Sequence, residues 1–344
     1  MRSFLIITLI VISSLYGVSY EKFRFFSPDE SDGFSDSIGY LDLADYNFSS
    51  EKITTLHNYR IIIPSLVNNI TEYISLNSLN LNEGLDRLET RLGFYIINFL
   101  LTTFTCLFLY LFFLKIGFST QYSLIGLFLF ITSRVTVYTA GVPLIDSLFY
   151  FFLITFYYSI IFFNNRWSYL LILIYPSGKE VMLSYIFTSL FIKRHRNFVF
   201  FITVLLSIAL FLLIFVIINK LNPIESNDNS SMYAIYDYFQ IIYKLILNFY
   251  SNFLNIFSFK GIHDFLHGYT LILFISIYGM VISFKKNILS REINLFFLSG
   301  IFLALALGLI SGNVGRLFFS SYVPIITFSI IGIREVFKNS HSTN

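Results

Sequence analysis

Several apolar runs in this chain have the length that a helix needs to cross a lipid bilayer. They span residues 4–20, 94–114, 198–218 and 295–310. A helix rises 1.5 Å per residue, so about 20 residues cross the hydrocarbon core. Because a lipid-facing backbone must satisfy its own hydrogen bonds, such runs fold as helices rather than as open strands. The sequence therefore predicts an all-α, polytopic membrane protein.

Composition supports this class. Of the 344 residues, 12% are charged and 56% are hydrophobic, and the mean hydropathy is +0.72. A soluble domain carries about 25% charged residues. The sequence contains no basic tract with interleaved aromatic residues, which argues against a nucleic-acid partner.

With a cytoplasmic N-terminus, the pattern predicts one transmembrane domain, residues 1–344, that is a helical bundle of about 9–10 crossings. The first apolar run has no small-residue cleavage site and continues through Tyr16 and Tyr20, so it is interpreted as an uncleaved span. The crossings are expected at 3–20, 93–114, 118–133, 147–163, 198–218, 269–284, 294–310 and 317–333, with a hairpin over 167–192. That hairpin is too short for two full spans, so we expect two short helices broken at Pro176-Ser177-Gly178.

Two long loops, 21–92 and 219–268, are expected on the outer side, with a short outer turn at 134–146. Each proposed inner segment contains at least one Lys or Arg, as is typical of cytoplasmic loops. Both termini are then expected in the cytoplasm. The face that carries the candidate functional residues is expected to be extracytoplasmic, in what we expect to be a bacterial plasma membrane. Residues 61–75 and 232–257 are expected to form amphipathic helices on the outer interface.

The first outer loop opens with a cluster of carboxylates. Its members are Asp29, Glu30, Asp32, Asp36, Asp42 and Asp45. If the chain is helical from Ser37 onward, Asp36 lies at or near the N-cap, and Tyr40 and Ala44 share one face. A carboxylate just outside the membrane can accept a proton from a hydroxyl. The alternative is a solvated acidic loop with one capping Asp.

Five further charged residues lie beside apolar runs. Arg60 either binds a phosphate or extends its charge to the interface. Asp146, at the start of a span, either caps the helix or pairs with a basic residue. Lys179 and Glu180 stand at the tip of the broken hairpin, as functional groups or as a mutual ion pair. Arg316, after a glycine, either binds phosphate or anchors a turn.

A metal site is not predicted. His263 and His267 are spaced to face one way on a helix, but no third ligand is evident in the sequence. No cofactor is assigned, and a divalent metal ion stays an open question.

In this order, the motifs resemble the GT-C superfamily of multi-spanning glycosyltransferases, which use polyprenyl-phosphate-linked sugars. The matching pieces are D-x-x-x-Y-x-x-x-A (Asp36, Tyr40, Ala44), Y-R-x-x-x-P (Tyr59, Arg60, Pro64), P-x-x-D (Pro143, Asp146), Lys-Glu (Lys179, Glu180) and a late Gly-Arg before Pro (Gly315, Arg316, Pro324). The resemblance covers most of the chain. The Asp29-Glu30 doublet, a common form of the first motif, is not followed by Tyr at this spacing, which leaves the choice between Asp36, Asp32 and Asp29 open.

The resemblance implies a GT-C-like fold and an inverting transfer of sugar to an envelope or cell-surface acceptor. Asp36, or Asp32 or Asp29 in its place, would be the catalytic base or would organise the site. Arg60, Lys179 and Arg316 would hold the lipid phosphate, supported by Glu180 and Asp146, and Tyr40 belongs to the first motif. The partners would be a polyprenyl-phosphate sugar, a glycan, lipid or protein acceptor, and the bilayer.

Two other functions are compatible with the class of protein. A transporter or flippase of a lipid-linked glycan would be expected to carry charges along the midplane and to show repeated halves. The spans here are almost free of ionisable residues and no repeat is visible, which favours the enzyme. If the protein were instead a non-catalytic subunit of an envelope complex, the outer carboxylates would have no functional role.

Overall fold

The computed structural model describes residues 2–26, 35–45, 60–73, 87–221, 272–311 and 314–341, together with scattered residues between 243 and 269. The described chain is helical and contains no β-strand in these ranges. This confirms the all-α class. The expected helix over 232–257 and the pair His263 and His267 lie outside, or mostly outside, the described residues.

The helices follow the apolar runs. They are α1 (Arg2–Arg24), α2 (Ser35–Asp45), α3 (Ile62–Thr71), α4 (Leu88–Ile116), α5 (Thr120–Ile131), α6 (Arg134–Gly141), α7 (Asp146–Phe162), α8 (Asn165–Ile174), α9 (Val181–Thr188), α10 (Phe198–Leu221), α11 (Ile272–Lys286), α12 (Arg291–Ser311), α13 (Val314–Phe318) and α14 (Tyr322–His341). They form two compact units, Met1–Phe108 with Thr136–Leu183 and Phe198–Glu225, and Leu109–Val135 with Ser184–Asn197 and Ser226–Asn344.

Four helices of the described chain are long and apolar enough to cross a membrane: Phe4–Arg24, Leu88–Ile116, Arg291–Ser311 and Gly315–Lys338. The pair α5 and α6, bent by 62°, would make a fifth. Shorter apolar helices span Asp146–Phe162, Val181–Phe191 and Phe198–Ile214. The protein is therefore a helical, multi-pass membrane protein, while the count of 9–10 crossings and their orientation stay predictions.

The expected outer turn at 134–146 is wrong over its first half, because residues 134–141 form helix α6. The chain bends at Thr132 and Ser133 and resumes as a helix. Nothing in the segment Arg134–Gly141 breaks a helix, since the nearest proline is Pro143. Hydropathy alone does not separate such a bend from a turn.

In the first unit, α2 and α3 are packed into the core. They contribute Tyr40, Leu41, Leu43, Ala44, Ile63 and Val67, which contact Phe94, Ile97, Val142, Leu144, Ile145 and Leu148 from the neighbouring segments. Full burial of one large apolar side chain stabilises a fold by about 1.5–3 kcal/mol. Helix α3 confirms the helix expected within 61–75, and its interfacial position stays a prediction.

The hairpin breaks where the sequence predicts. Helix α8 ends at Ile174, a 3₁₀ turn covers Tyr175–Ser177, and α9 begins at Val181. A Cβ atom at Gly178 would lie 2.5 Å from a ring carbon of Phe152, so the close packing of this break requires glycine.

A polar contact inside the first unit fixes the start of α7. Asn98 of α4 donates from its side-chain nitrogen to the carbonyl oxygens of Val142 (3.0 Å) and Leu144 (2.9 Å), and its side-chain oxygen contacts the hydroxyl of Ser147. These bonds provide hydrogen-bond donors for two backbone carbonyls of the turn between α6 and α7. They thereby hold the turn that delivers Asp146.

In the second unit, α11 and α14 cross closely, with Gly279 and Gly332 at the contact.

The turn after α4 also belongs to the second unit. Gly117 has φ +106°, its N–H donates to the carbonyl of Leu114, and the N–H of Phe118 donates to the carbonyl of Phe113. This is a Schellman motif, in which a left-handed glycine ends the helix.

Candidate functional site

Helix α2 carries the first-loop residues of the candidate site. It begins at Ser35, two residues before the expected start at Ser37, so Asp36 lies in the first turn, near the N-cap as predicted. Asp36 is partly buried, whereas Tyr40, one turn later, is fully buried. Asp32, the alternative to Asp36, lies outside the described residues together with Asp29 and Glu30.

Arg60 connects α2 to the break in the hairpin. Its Nε and Nη2 atoms donate to the two carboxylate oxygens of Glu180, at 3.3 and 2.6 Å, and its Nη1 atom donates to the hydroxyl oxygen of Tyr40 at 2.7 Å. A bidentate guanidinium–carboxylate pair fixes both groups in one plane. The side chain of Arg60 is 13% exposed and that of Glu180 is 31% exposed.

Lys179 makes a second and more deeply buried ion pair. Its Nζ atom donates to Oδ1 of Asp146 at 2.8 Å and lies 5.3 Å from the centre of the Phe149 ring. The side chains of Lys179 and Asp146 are only 7% and 1% exposed. Asp146 therefore has the basic partner that its buried position requires, and its place in the first turn of α7 lets the helix dipole stabilise the carboxylate as well.

Lys179 and Glu180 do not form the mutual ion pair that the sequence left open. Each pairs with a different segment: Lys179 with the start of α7, and Glu180 with the chain just before α3. Residues adjacent in sequence point in different directions, which explains why two neighbours serve two partners.

The electrostatics of Tyr40 connect the two pairs. Burial raises the pKa of the Tyr40 hydroxyl well above its usual value, Arg60 partly opposes this, and the negative charges of Asp146 and Asp36 add to the increase. Both carboxylates therefore lie within electrostatic range of Tyr40. We call the resulting group the charged cluster: Asp36, Tyr40, Arg60, Asp146, Lys179 and Glu180.

All residues of the charged cluster belong to the first unit. Burial acts to raise the pKa of Glu180, but the charges of Arg60 and Lys179 outweigh it and lower that pKa. Glu180 is therefore ionised at neutral pH. With Asp36 ionised, the cluster contains one more carboxylate than cations.

Arg316, the remaining predicted site residue, lies in α13 of the second unit, where it is partly buried. Its proposed part in phosphate binding stays a prediction.

Sequence reasoning missed a second set of contacts that hold α2. The Nη1 and Nε atoms of Arg87 lie 2.6 Å from Asp42 and 3.4 Å from Asp45, and the Thr90 hydroxyl also contacts Asp45. No helical spacing signalled these contacts, because Arg87 lies before the first residue of α4 and has a left-handed backbone, with φ 53°. Thus α2 is held by ionic contacts to Arg87 as well as by the bond from Arg60 to Tyr40.

Within the described ranges, no group of three or more His, Cys, Asp or Glu side chains is arranged to hold a metal ion. The carboxylates of Glu180 and Asp146 are instead paired with Arg60 and Lys179. Comparisons with protein-family models and with curated proteins give no match, so any functional conclusion rests on the residues and their geometry.

Proposed function

We propose that this protein is a membrane glycosyltransferase of the GT-C type. It would transfer a sugar from a polyprenyl-phosphate donor to an envelope or cell-surface acceptor at the extracytoplasmic face, with inversion at the anomeric carbon. The observation that carries the proposal is the charged cluster, in which residues of the motifs that resemble this superfamily lie together although up to 144 positions separate them.

The proposed chemistry needs one base and one site for negative charge. An acceptor hydroxyl oxygen attacks the anomeric carbon on the side opposite the phosphate, and a new carbon–oxygen bond forms as the bond to the phosphate oxygen breaks. The electron pair leaves with polyprenyl phosphate, and the proton of the hydroxyl passes to a carboxylate. Such a base contributes about 10²–10⁴-fold to a rate, and cations stabilise the charge on the leaving group.

Asp36 is the proposed base. It is partly exposed, so an acceptor can reach it, and it lies on a helix whose position is fixed by Arg60 through Tyr40 and by Arg87 through Asp42. Rigid support of this kind matters because a proton acceptor must lie within hydrogen-bond distance of the attacking hydroxyl. Asp146 and Glu180 are poorer candidates because Lys179 and Arg60 hold their carboxylates.

Arg60 is the cation of the cluster best suited to receive the donor phosphate. If Arg60 turns to phosphate, Glu180 is released, and with 31% of its side chain exposed it can be hydrated. If Lys179 turned away instead, the carboxylate of Asp146, which is 1% exposed, would lose the cation that lies 2.8 Å from it. Because a buried carboxylate that loses its cation costs more than one that water can reach, the exchange favours Arg60, while Lys179 keeps its partner.

The proposal is tested with the purified full-length protein and a panel of polyprenyl-phosphate sugars, measuring release of polyprenyl phosphate and labelling of the acceptor. Asp36→Asn should reduce turnover by about 10²-fold or more, because the amide cannot accept the proton. Asp45→Asn is the matched control, since it changes a carboxylate of the same helix that contacts Arg87 and Thr90 instead. Its turnover should stay within a few fold of the wild type.

Equal turnover of Asp36→Asn and wild type would remove Asp36 as the base. Transport of the lipid-linked sugar across the membrane of proteoliposomes, with no transfer to any acceptor, would identify the protein as a flippase rather than an enzyme. Thermal unfolding of both variants in detergent shows whether a lost activity reflects a lost fold.

A further inference from the structure

A cavity at one end of the second unit has the composition of a lipid headgroup site. It has a volume of about 470 Å³ and lies between the first turns of α5 and the last turns of α14. Its lining residues are Gln121, Tyr122, Ile125, Arg334, Phe337 and Lys338. Small-molecule pockets have volumes of about 300–1,000 Å³, so one headgroup can be accommodated.

We propose that this cavity binds the phosphate of an anionic membrane phospholipid through Arg334 and Lys338, with the acyl chains against the neighbouring apolar side chains. This inference concerns the second unit and does not rest on the proposed transferase activity.

The charge of the lining favours an anion. Among the described lining residues both charged side chains are cations; Lys338 is exposed, and the side chain of Arg334 is 31% exposed. The carboxylate of Glu335 is 5% exposed, is paired with Lys286 and lies 4.0 Å from Nη2 of Arg334. Lys338 is also within electrostatic range of it, so three cations surround one carboxylate and the local charge stays positive. A guanidinium and an ammonium together suit a phosphate group, the first as a planar fork and the second as a point charge.

The helix dipoles do not determine whether the electrostatic potential in the cavity is positive or negative. The cavity lies beside the N-terminal end of α5, which is partially positive, and near the C-terminal end of α14, which is partially negative. These two contributions oppose each other. The side chains of Arg334 and Lys338 therefore supply the net positive potential.

The cavity is also firmly supported. Arg334 lies over the Phe118 ring at 6.0 Å, and Phe118 belongs to the Schellman turn that ends α4. Just beyond the cavity, a Cβ atom on Gly126 would meet side-chain atoms of Phe113 and Ile330, which shows that α5 and α14 are closely packed there. A binding site on rigid helices costs less ordering when its ligand arrives.

The position and the apolar part of the lining favour a lipid over free phosphate. The candidate span Gly315–Lys338 ends at the cavity, which is where a spanning helix meets the headgroups. Phe337 and Val336 are 55% and 54% exposed, and Ile125 lines the cavity. Basic cavities between helices near the membrane surface are typical sites for anionic headgroups.

The test measures lipid binding to the purified full-length protein by native mass spectrometry. The probes are dioleoylphosphatidylglycerol, dioleoylphosphatidylcholine and the lipid-free headgroup glycerol-1-phosphate. Wild type should bind the anionic lipid in preference to phosphatidylcholine and should not bind glycerol-1-phosphate at the same concentrations. The double variant Arg334→Gln, Lys338→Gln should bind phosphatidylglycerol about 25-fold more weakly, since each cation near a headgroup contributes about fivefold.

The matched control is Lys193→Gln, Lys285→Gln, which removes the same charge from exposed positions of the same unit outside the cavity lining. It should keep the wild-type affinity. If the double variant fails to fold, Lys338→Gln alone should lose about fivefold, and Gln121→Trp should block the cavity at an exposed position without changing charge.

Equal weakening by the two double variants would mean that only the overall charge matters and would overturn the site. Equal binding of phosphatidylcholine by wild type would overturn the preference for an anion. If glycerol-1-phosphate bound as tightly as the lipid, the proposal that the ligand is a membrane lipid rather than a free phosphate compound would be overturned.

Discussion

Removing the charge of Lys179 should destabilise the protein more than any surface charge change. In Lys179→Met the side-chain volume is nearly kept, but the carboxylate of Asp146, 1% exposed, loses the ammonium that lies 2.8 Å from it. Breaking one side of a buried ion pair costs about 3–5 kcal/mol of unfolding free energy. The first turn of α7 still stabilises the carboxylate by about 0.3–1 kcal/mol, so we expect a loss of about 3 kcal/mol.

A second substitution should restore part of that stability. In Lys179→Met, Asp146→Asn neither charge remains, and the cost reduces to one buried amide with fewer hydrogen bonds, about 1–2 kcal/mol. The double variant should therefore be more stable than the Lys179→Met single variant. This reversal separates the loss of a cation beside a buried carboxylate from a simple packing defect, which a second substitution would not relieve.

The assay is unfolding in mixed detergent micelles by a titration with sodium dodecyl sulfate, followed by helical circular dichroism. Lys193→Met is the control, because the ion pair of Lys193 with Glu292 is 3.9 Å long and its side chains are 79% and 38% exposed. It should cost about 0–1 kcal/mol. A loss below about 1 kcal/mol for Lys179→Met, or a double variant less stable than the single one, would refute the reasoning.

Two further predictions concern packing and pH. Gly279→Val should cost about 3 kcal/mol in the same unfolding assay, because its Cβ would overlap the carbonyl oxygen of Phe328, whereas Gly17→Ala, whose Cβ meets no described heavy atom within 4 Å, should be unchanged or slightly more stable. The lowered pKa of Glu180 means that its pair with Arg60 stabilises the fold above the ordinary pKa of 4.5, and that this stability is lost as the pH falls through the lower pKa of the folded state. Wild type should therefore lose more stability below about pH 4.5 than Glu180→Gln does, and equal acid sensitivity would contradict the prediction.

Local features of the chain predicted much of the fold. The apolar runs predicted helices at α1, α4, α7, α10 and α12, and the Pro-Ser-Gly sequence predicted the break before Lys179. The amphipathic stretch predicted α3. These features succeed because hydrogen bonds within a helix and the restrictions of proline and glycine act over a few residues. The bend at Thr132 was not predicted, because neither a proline nor a glycine marks it in the sequence.

Charge in an apolar setting also indicated which residues to examine. Asp146, Lys179 and Glu180 attracted attention because an ionisable group beside a span is costly unless it has a partner. The sequence correctly required a partner for Asp146 but could not name it. Arg87, which helps to hold α2, was overlooked because nothing near it in sequence shows that it faces Asp42.

The sequence by itself thus determined the class of protein, the places of most helices and the need for charge compensation. Only the tertiary structure decided the pairing, because Arg60 and Glu180 are 120 residues apart and Lys179 and Asp146 are 33 apart. The energy of an ion pair falls off with the distance between its two charges in space, whatever their separation along the chain. The fold brings Arg60, just before α3, and Asp146, at the start of α7, within 3 Å of their partners in the break before α9, and no local pattern encodes that approach.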